Sequence, residues 1–313
     1  MRRACRKDCS HVTPRLYRFL IALAALSAFA PGVASAAGDK SVKDVPRMTS
    51  FGGSCARCEL SGRKLFGARF MGANFSGAAL VGSDLREARF LGSNFANADL
   101  SHADLSDATI LGANFNGANL SHARLRDAEA KGVNFGGADL TNADLSDASA
   151  MGANFQGANL GNAVFHSVDM THANLGRADA RGADFAEADL SGSMLTGGQF
   201  GRASFREADL SGAILSGGGF DGADFRDADL KRALITGVDL SKARGLTQDQ
   251  IDEACGDAKT RLPRRLESHT CTGVQMIVRQ AGRGGWVRPT PPVPPVPPVM
   301  PTAPAGTRYL VSN

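Results

Sequence analysis

Large apolar residues fall on every fifth position from Leu60 to Leu240, the exceptions being Ala130, Ala150 and Ala180. Two residues before each of them the side chain is small, most often Ala, and only Arg63 is neither small nor Val. The register does not slip across this stretch. A helix would rotate such a stripe by about 140° per repeat, at about 100° per residue. A straight strand would alternate its faces, because five is odd. The pattern is consistent with a chain that turns a corner every five residues. Each short side then points its central residue, and the one two before it, inward. Gly, Asp and Asn near the corners suit the bend.

A second period sets the number of sides. Phe75, Phe95, Phe115, Phe135 and Phe155 recur 20 residues apart, and Phe165, Phe185, Phe205 and Phe225 do so in a second column. Four sides per coil stacks each column vertically and sets the two on opposite walls. Where Phe moves to one wall, Leu175, Leu195 and Leu215 take over the other, which keeps the core volume per coil roughly constant. About nine coils at about 4.8 Å give a rod of about 43 Å.

The segments "ANFSGAAL", "ANLSHARL" and "ADLSDASA" carry an A-(D/N)-L-x-x motif and resemble the pentapeptide repeat family. The resemblance implies an all-β fold, a right-handed quadrilateral β-helix, the handedness being the family's. It implies a fold and not an activity. A solenoid needs caps at both ends. In "GLTQDQIDEACGD", Thr247 reads as a helix N-cap with Gln250 closing a capping box, Leu246 and Ile251 as a hydrophobic staple, and Gly256 as a stop. A short capping helix is expected over Thr247–Cys255, with "TRLPRRLESHTC" folding back. "LTQDQIDEACGDAKTRLP" is similar to the ending of exported members of the family, and a Cys255–Cys271 disulfide is expected there.

The organisation reads as a signal peptide over 1–36, a linker over 37–54, the repeat β-helix over 55–244, the capping helix and fold-back over 245–272, and a Pro-rich disordered tail over 273–313. The leader has a basic start, an apolar run from Phe19 to Val33, and small residues at Ala34-Ser35-Ala36; an uncleaved anchor is the alternative. Without Arg2, Arg3, Arg6, Lys7, Arg15, Arg18 and Asp8 the formal charge drops from +4 to −1. The alkaline balance belongs to the leader, and no basic face argues for nucleic acid. Cys55, Cys58, Cys255 and Cys271 form an even set suited to an oxidising compartment, so the expected location is periplasmic or secreted, with no membrane association once the leader is removed.

Cys55-Ala-Arg-Cys58 has redox and zinc spacing, but no second pair completes a metal site. It reads as a structural disulfide or as buried thiols at the N-terminal end. His102 and His122 should stack on one corner above Asn142 and Asn162, without the further ligands a metal needs. One wall, centred on Leu65, recurrently carries Asp84, Glu87, Asp104, Asp107, Asp127, Asp144, Asp147, Glu187, Glu207 and Asp227, relieved by Arg86, Arg124, Arg126, Arg206 and Arg226.

The outward apolar residues stand apart. Met71, Leu91, Leu111 and Met151 stack beside one corner, interrupted by Lys131. Met194, Ile214 and Leu234 stack on its other flank. Such a stripe suits a homodimer, a groove for another protein, or a bed for the tail, whose Pro289–Pro304 stretch spans roughly 50 Å as polyproline II. No catalytic motif and no cofactor site stands out. The leading expectation is a non-catalytic exported scaffold that binds an unknown protein partner. Two alternatives are weighed: a polyanion mimic inhibiting a nucleic-acid enzyme, which the resemblance brings in, and an envelope protein recruiting a partner through its Pro-rich tail.

Overall fold

The computed structural model describes residues 49–51, 53–268 and 270. Within them the chain winds in four-sided coils, and up to Arg244 the bridged residues pair in parallel with partners 20 positions on. Strands β1 (Thr49–Phe51), β2 (Arg69–Met71) and β3 (Arg89–Leu91) lie side by side in that register. Elsewhere each side is so short that it pairs through single residues, as Asn94 does with Asn74 and Asn114.

The backbone accounting explains the five-residue period. In the unit from Ala98 to His102, the Ala98 N–H closes a turn on the Phe95 carbonyl at 3.0 Å. Asp99 donates to Ala78 of the previous coil at 2.9 Å, while Leu100 and His102 donate to Asn119 and Ser121 of the next at 2.7 and 3.0 Å. Only the Ser101 N–H lacks a backbone acceptor, and the Asp99 carboxylate takes it at 3.0 Å. Every Asp and Asn just before a central apolar residue, from Asn74 to Asp239, caps its corner in this way. An amide or carboxylate there stops a corner N–H from going unpaired. The corner itself is left-handed: every residue numbered in 2 or 7 from Arg57 to Gly237 has φ between +52° and +73°. Gly meets that demand without steric cost, and Asn, Asp and His tolerate it best among the rest.

The core is a stack of rings and small residues. Phe75 to Phe155 form one column with centroids 4.7–5.4 Å apart, and Phe165 to Phe225 form a second at 4.9–5.2 Å. Two shorter columns sit on the other walls. Phe70 and Phe90 stack at 5.5 Å and meet the first column edge-on, and Phe200 and Phe220 stack at 5.1 Å beside the second. Gly198 and Gly218 replace the usual small residue just before this last pair, and both are buried.

Buried serines take some of those small positions. Ser83 Oγ donates to the Leu80 carbonyl at 2.7 Å, and Ser93 Oγ accepts from the Ala73 N–H at 3.2 Å. Ser193 Oγ is buried with no hydrogen-bond partner. Ser193→Ala should therefore raise stability by about 1 kcal/mol, since an unsatisfied buried hydroxyl costs about that much, while Ser83→Ala should lower it. Urea unfolding of the two variants beside wild type checks the opposite signs.

Two boundaries differ from the sequence reading. The ladder extends below Cys55, because Thr49–Phe51 in the 37–54 stretch already pairs with β2. Helix α1 runs Gln248–Glu253 from the Thr247 cap, with the capping box formed. It stops short of Cys255 because Cys255 has returned to the ladder: it pairs with Leu234 and donates to the Ala233 carbonyl at 2.8 Å. Gln250 Nε2 donates to the Phe225 and Ala228 carbonyls at 2.9 and 2.8 Å, Ile251 is buried, and Leu246 packs against the core. Cys55 and Cys58 are joined by a disulfide, Cα atoms 5.2 Å apart. Cys271, the expected partner of Cys255, the leader and the Pro-rich tail lie outside the described residues.

Candidate functional site

One corner column changes chemistry along its length. Asn74, Asn94, Asn114, Asn134, Asn154 and Asn174 stand directly above one another. Each caps its own corner through Oδ1, and each amide from Asn94 onward donates to the Oδ1 below at 2.9–3.3 Å. The next three residues of the column are Met194, Ile214 and Leu234. None of these side chains carries the amide or carboxylate oxygen that caps the other corners, and the corner N–H groups of Thr196, Ser216 and Thr236 take no side-chain cap. A cap is typically worth about 1 kcal/mol, so three coils in succession forgo a stabilising contact to present apolar surface.

The sequence placed Met71, Leu91, Leu111 and Met151 on the other flank of this corner. Met71, Met151 and Met194 are 46%, 45% and 44% exposed. Leu91, Leu111, Ile214 and Leu234 are half-buried, so the stripe is an exposed thioether at intervals with partly covered branched side chains between. Met is the adaptable side chain of recognition surfaces. Phe66, 42% exposed with the Arg86 guanidinium 5.6 Å above its ring, is a further exposed apolar group that the stripe did not include. The amide ladder was missed in the sequence as well; its signal is six Asn spaced 20 residues apart.

The wall centred on Leu65 is laced with ion pairs. Arg86 lies 2.8 Å from Asp84, Arg126 is 2.5 Å from Asp144, Arg124 is 3.8 Å from Asp104, and Arg226 contacts Asp224. These contacts engage Asp84, Asp104 and Asp144 among the ten acidic residues that the sequence placed on this wall. Hydrogen bonds from Arg86, Arg181 and Arg226 hold the carboxyls of Asp84, Asp179 and Asp224 below the usual carboxylate range. A carboxyl with a lowered folded pKa stabilises fully above its unfolded value of about 3.9, and that contribution is lost as pH falls through the folded value. An Arg86→Gln, Arg181→Gln, Arg226→Gln variant should lose this acid resistance and unfold at a higher pH than wild type in an acid titration followed by circular dichroism. Added salt should move wild type in the same direction, because these pairs are exposed.

His102 and His122 stack with centroids 4.8 Å apart, and the Asn142 amide lies 3.5 Å from His122 Nε2. Among the described residues no group of three or more His, Cys, Asp or Glu is placed to hold a metal.

The pentapeptide repeats family model matches in eight copies over 54–90, 68–107, 111–147, 151–185, 183–218 and 203–241, more than half of the chain. The chain is similar to the crystal structure of HetL, a pentapeptide repeat protein involved in heterocyst differentiation regulation from the cyanobacterium Nostoc sp. strain PCC 7120. Identity is 30% over 68% of this chain and 93% of HetL, with a TM-score of 0.59. A pentapeptide repeat protein of the Arabidopsis thaliana thylakoid lumen is 34% identical over 34% of this chain and 70% of that one, with a TM-score of 0.27. QnrB1, a plasmid-mediated fluoroquinolone resistance protein, is 24% identical over 68% of this chain and 95% of its own, at 0.23. Superpositions that loose carry no argument about this chain. No curated protein matches it.

Proposed function

The chain belongs to the pentapeptide repeat family and its repeat unit is a right-handed β-helix, and from that premise we propose a non-catalytic, exported scaffold that holds a protein partner in the periplasm or cell envelope. The observation that carries this reading is the switch from capping Asn to Met194, Ile214 and Leu234 in three successive coils. Surface apolar groups that replace a stabilising cap mark a contact face rather than a packing need. Catalysis finds no support in the chemistry on view: the outward carboxylates and amides spend their acceptors on corner N–H groups and neighbouring Arg instead of converging. The ion-paired wall counts against the polyanion-mimic alternative. Export rests on the leader and on the cysteines, and the Cys255–Cys271 disulfide belongs to the same proposal.

The test uses mature protein bearing Met194→Ser, Ile214→Ser and Leu234→Ser as bait beside wild type in periplasmic extract. A partner captured by wild type and by an Arg202→Gln control, yet lost from the triple variant, supports the reading. Equal capture by all three removes the stripe from it. Residues 1–36 fused to a reporter active only outside the cytoplasm test the export step, and an inactive fusion overturns it.

A further inference from the structure

The apolar face has an occupant within the same chain, and we propose that the segment Pro289–Pro304 lies along it and withholds it from partners. The inference rests on the reading of the stripe as an interaction face. Three observations lead to it.

The first is where the described chain ends. Leu234 pairs with Cys255, and Gly256, the next residue, pairs with Thr270. The chain beyond Thr270 therefore leaves the cap beside the top of the column whose upper rungs are Leu234, Ile214 and Met194. The second is chemistry. The segment "PPVPPVPPV" is apolar and cannot donate backbone hydrogen bonds at its prolines. It suits a face made of Met, Ile and Leu and not the capping Asn ladder further down. The third is spacing. Val293, Val296 and Val299 recur every third residue. Polyproline II has three residues per turn and rises about 3.1 Å per residue, which puts the three valines on one side about 9.3 Å apart. Parallel coils stack at about 4.8 Å, so every second coil is about 9.6 Å away. Running down from the cap, the three valines meet the coils of Leu234, Met194 and Met151, which are alternate rungs that present an apolar side chain at this corner.

The tail thus acts as a tethered competitor. A link of this length holds it near the face at an effective concentration of order 1 mM, so an intrinsic Kd of about 0.1 mM leaves the face covered about nine-tenths of the time.

The experiment uses the purified mature chain with no partner present, so that its outcome is separate from partner capture. Trp286 is the only tryptophan and lies just ahead of the segment, and Arg308 is a tryptic site just beyond it. Fluorescence anisotropy of Trp286 and the rate of cleavage after Arg308 are measured in wild type and in two triple variants. One carries Met194→Ser, Ile214→Ser and Leu234→Ser. The other carries Val293→Ser, Val296→Ser and Val299→Ser and leaves the coils untouched. Each is expected to lower the anisotropy and to speed cleavage roughly tenfold. Exchanging two neighbours, Val296→Pro with Pro297→Val, keeps the composition and breaks the spacing, and should give most of the same loss. Wild-type cleavage and anisotropy in both triple variants would overturn the proposal. So would protection that grows with protein concentration, which assigns the face to a second copy of the chain.

Discussion

Replacing Phe115 by Ala is expected to lower the unfolding free energy of the repeat unit by about 3–5 kcal/mol. The ring is fully buried and lies between Phe95 at 4.7 Å and Phe135 at 5.4 Å, nearly parallel to the first. Truncation removes both stacking contacts and leaves a void the neighbouring coils cannot close, because their spacing is fixed by backbone hydrogen bonds 20 residues apart. Phe70, at the N-terminal end of its column, is only half-buried, and Phe70→Ala should cost clearly less. Residue type is the same in both, so the difference reads position in the stack. A cycle of Phe95→Ala with Phe115→Ala should show a coupling of about 0.5–1.5 kcal/mol, the worth of one ring pair beyond its buried area. Urea unfolding measures the totals. Equal losses at positions 70 and 115 would refute the stacking account.

The second large effect is overpacking. Gly198→Ala would place a Cβ 2.6 Å from Phe200 Cε2 and 3.2 Å from the Ala178 carbonyl oxygen, and Gly218→Ala would meet Phe220 Cε2 at 2.6 Å and the Leu215 carbonyl oxygen at 3.0 Å. Both rings are fully buried between neighbours, so they have no free direction in which to retreat. Each methyl is expected to cost about 1–3 kcal/mol, although Ala at the equivalent place in most other units is the ordinary residue. The decisive measurement is rescue. In a Phe200→Leu background, Gly198→Ala should become close to neutral, because a Leu at the centre and an Ala two residues before it is the commonest pairing in this sequence. Persistence of the full loss there would mean that Gly198 is needed for backbone reasons and not for volume.

These expectations also show what the sequence conveyed. The period of five and the columns 20 apart were legible because every core position obeys them. Gly198 and Gly218 were visible as departures, but their meaning needed Phe200 and Phe220 to be recognised as a column of their own. The role of Asp and Asn before each central residue was hidden for a different reason. Preference for bends explains their presence near corners equally well, and only a full count of backbone donors shows one N–H per unit left for them. Thr49–Phe51 could not be seen because Ser50 stands where the apolar residue should be; pairing with Phe70 needs only an extended backbone. The candidate site was half legible. Outward Met, Leu and Ile could be listed, but whether a Leu is open or half-covered depends on its neighbours' bulk, which separates Leu91 and Leu111 from Met71 and Met151.

The backbone bonds reach no further than 21 residues along the sequence anywhere between Gly53 and Arg244. No part of the coil waits for a distant segment to be made. A new storey needs only the one beneath it, so the loop-closure entropy of each step is that of a chain of about 20 residues and stays constant however tall the stack grows. Such a chain can wind up vectorially while its C-terminus is still being synthesised or threaded through a pore. Adding or removing 20 residues changes the height alone, whereas removing five would set every later wall a quarter turn out of line.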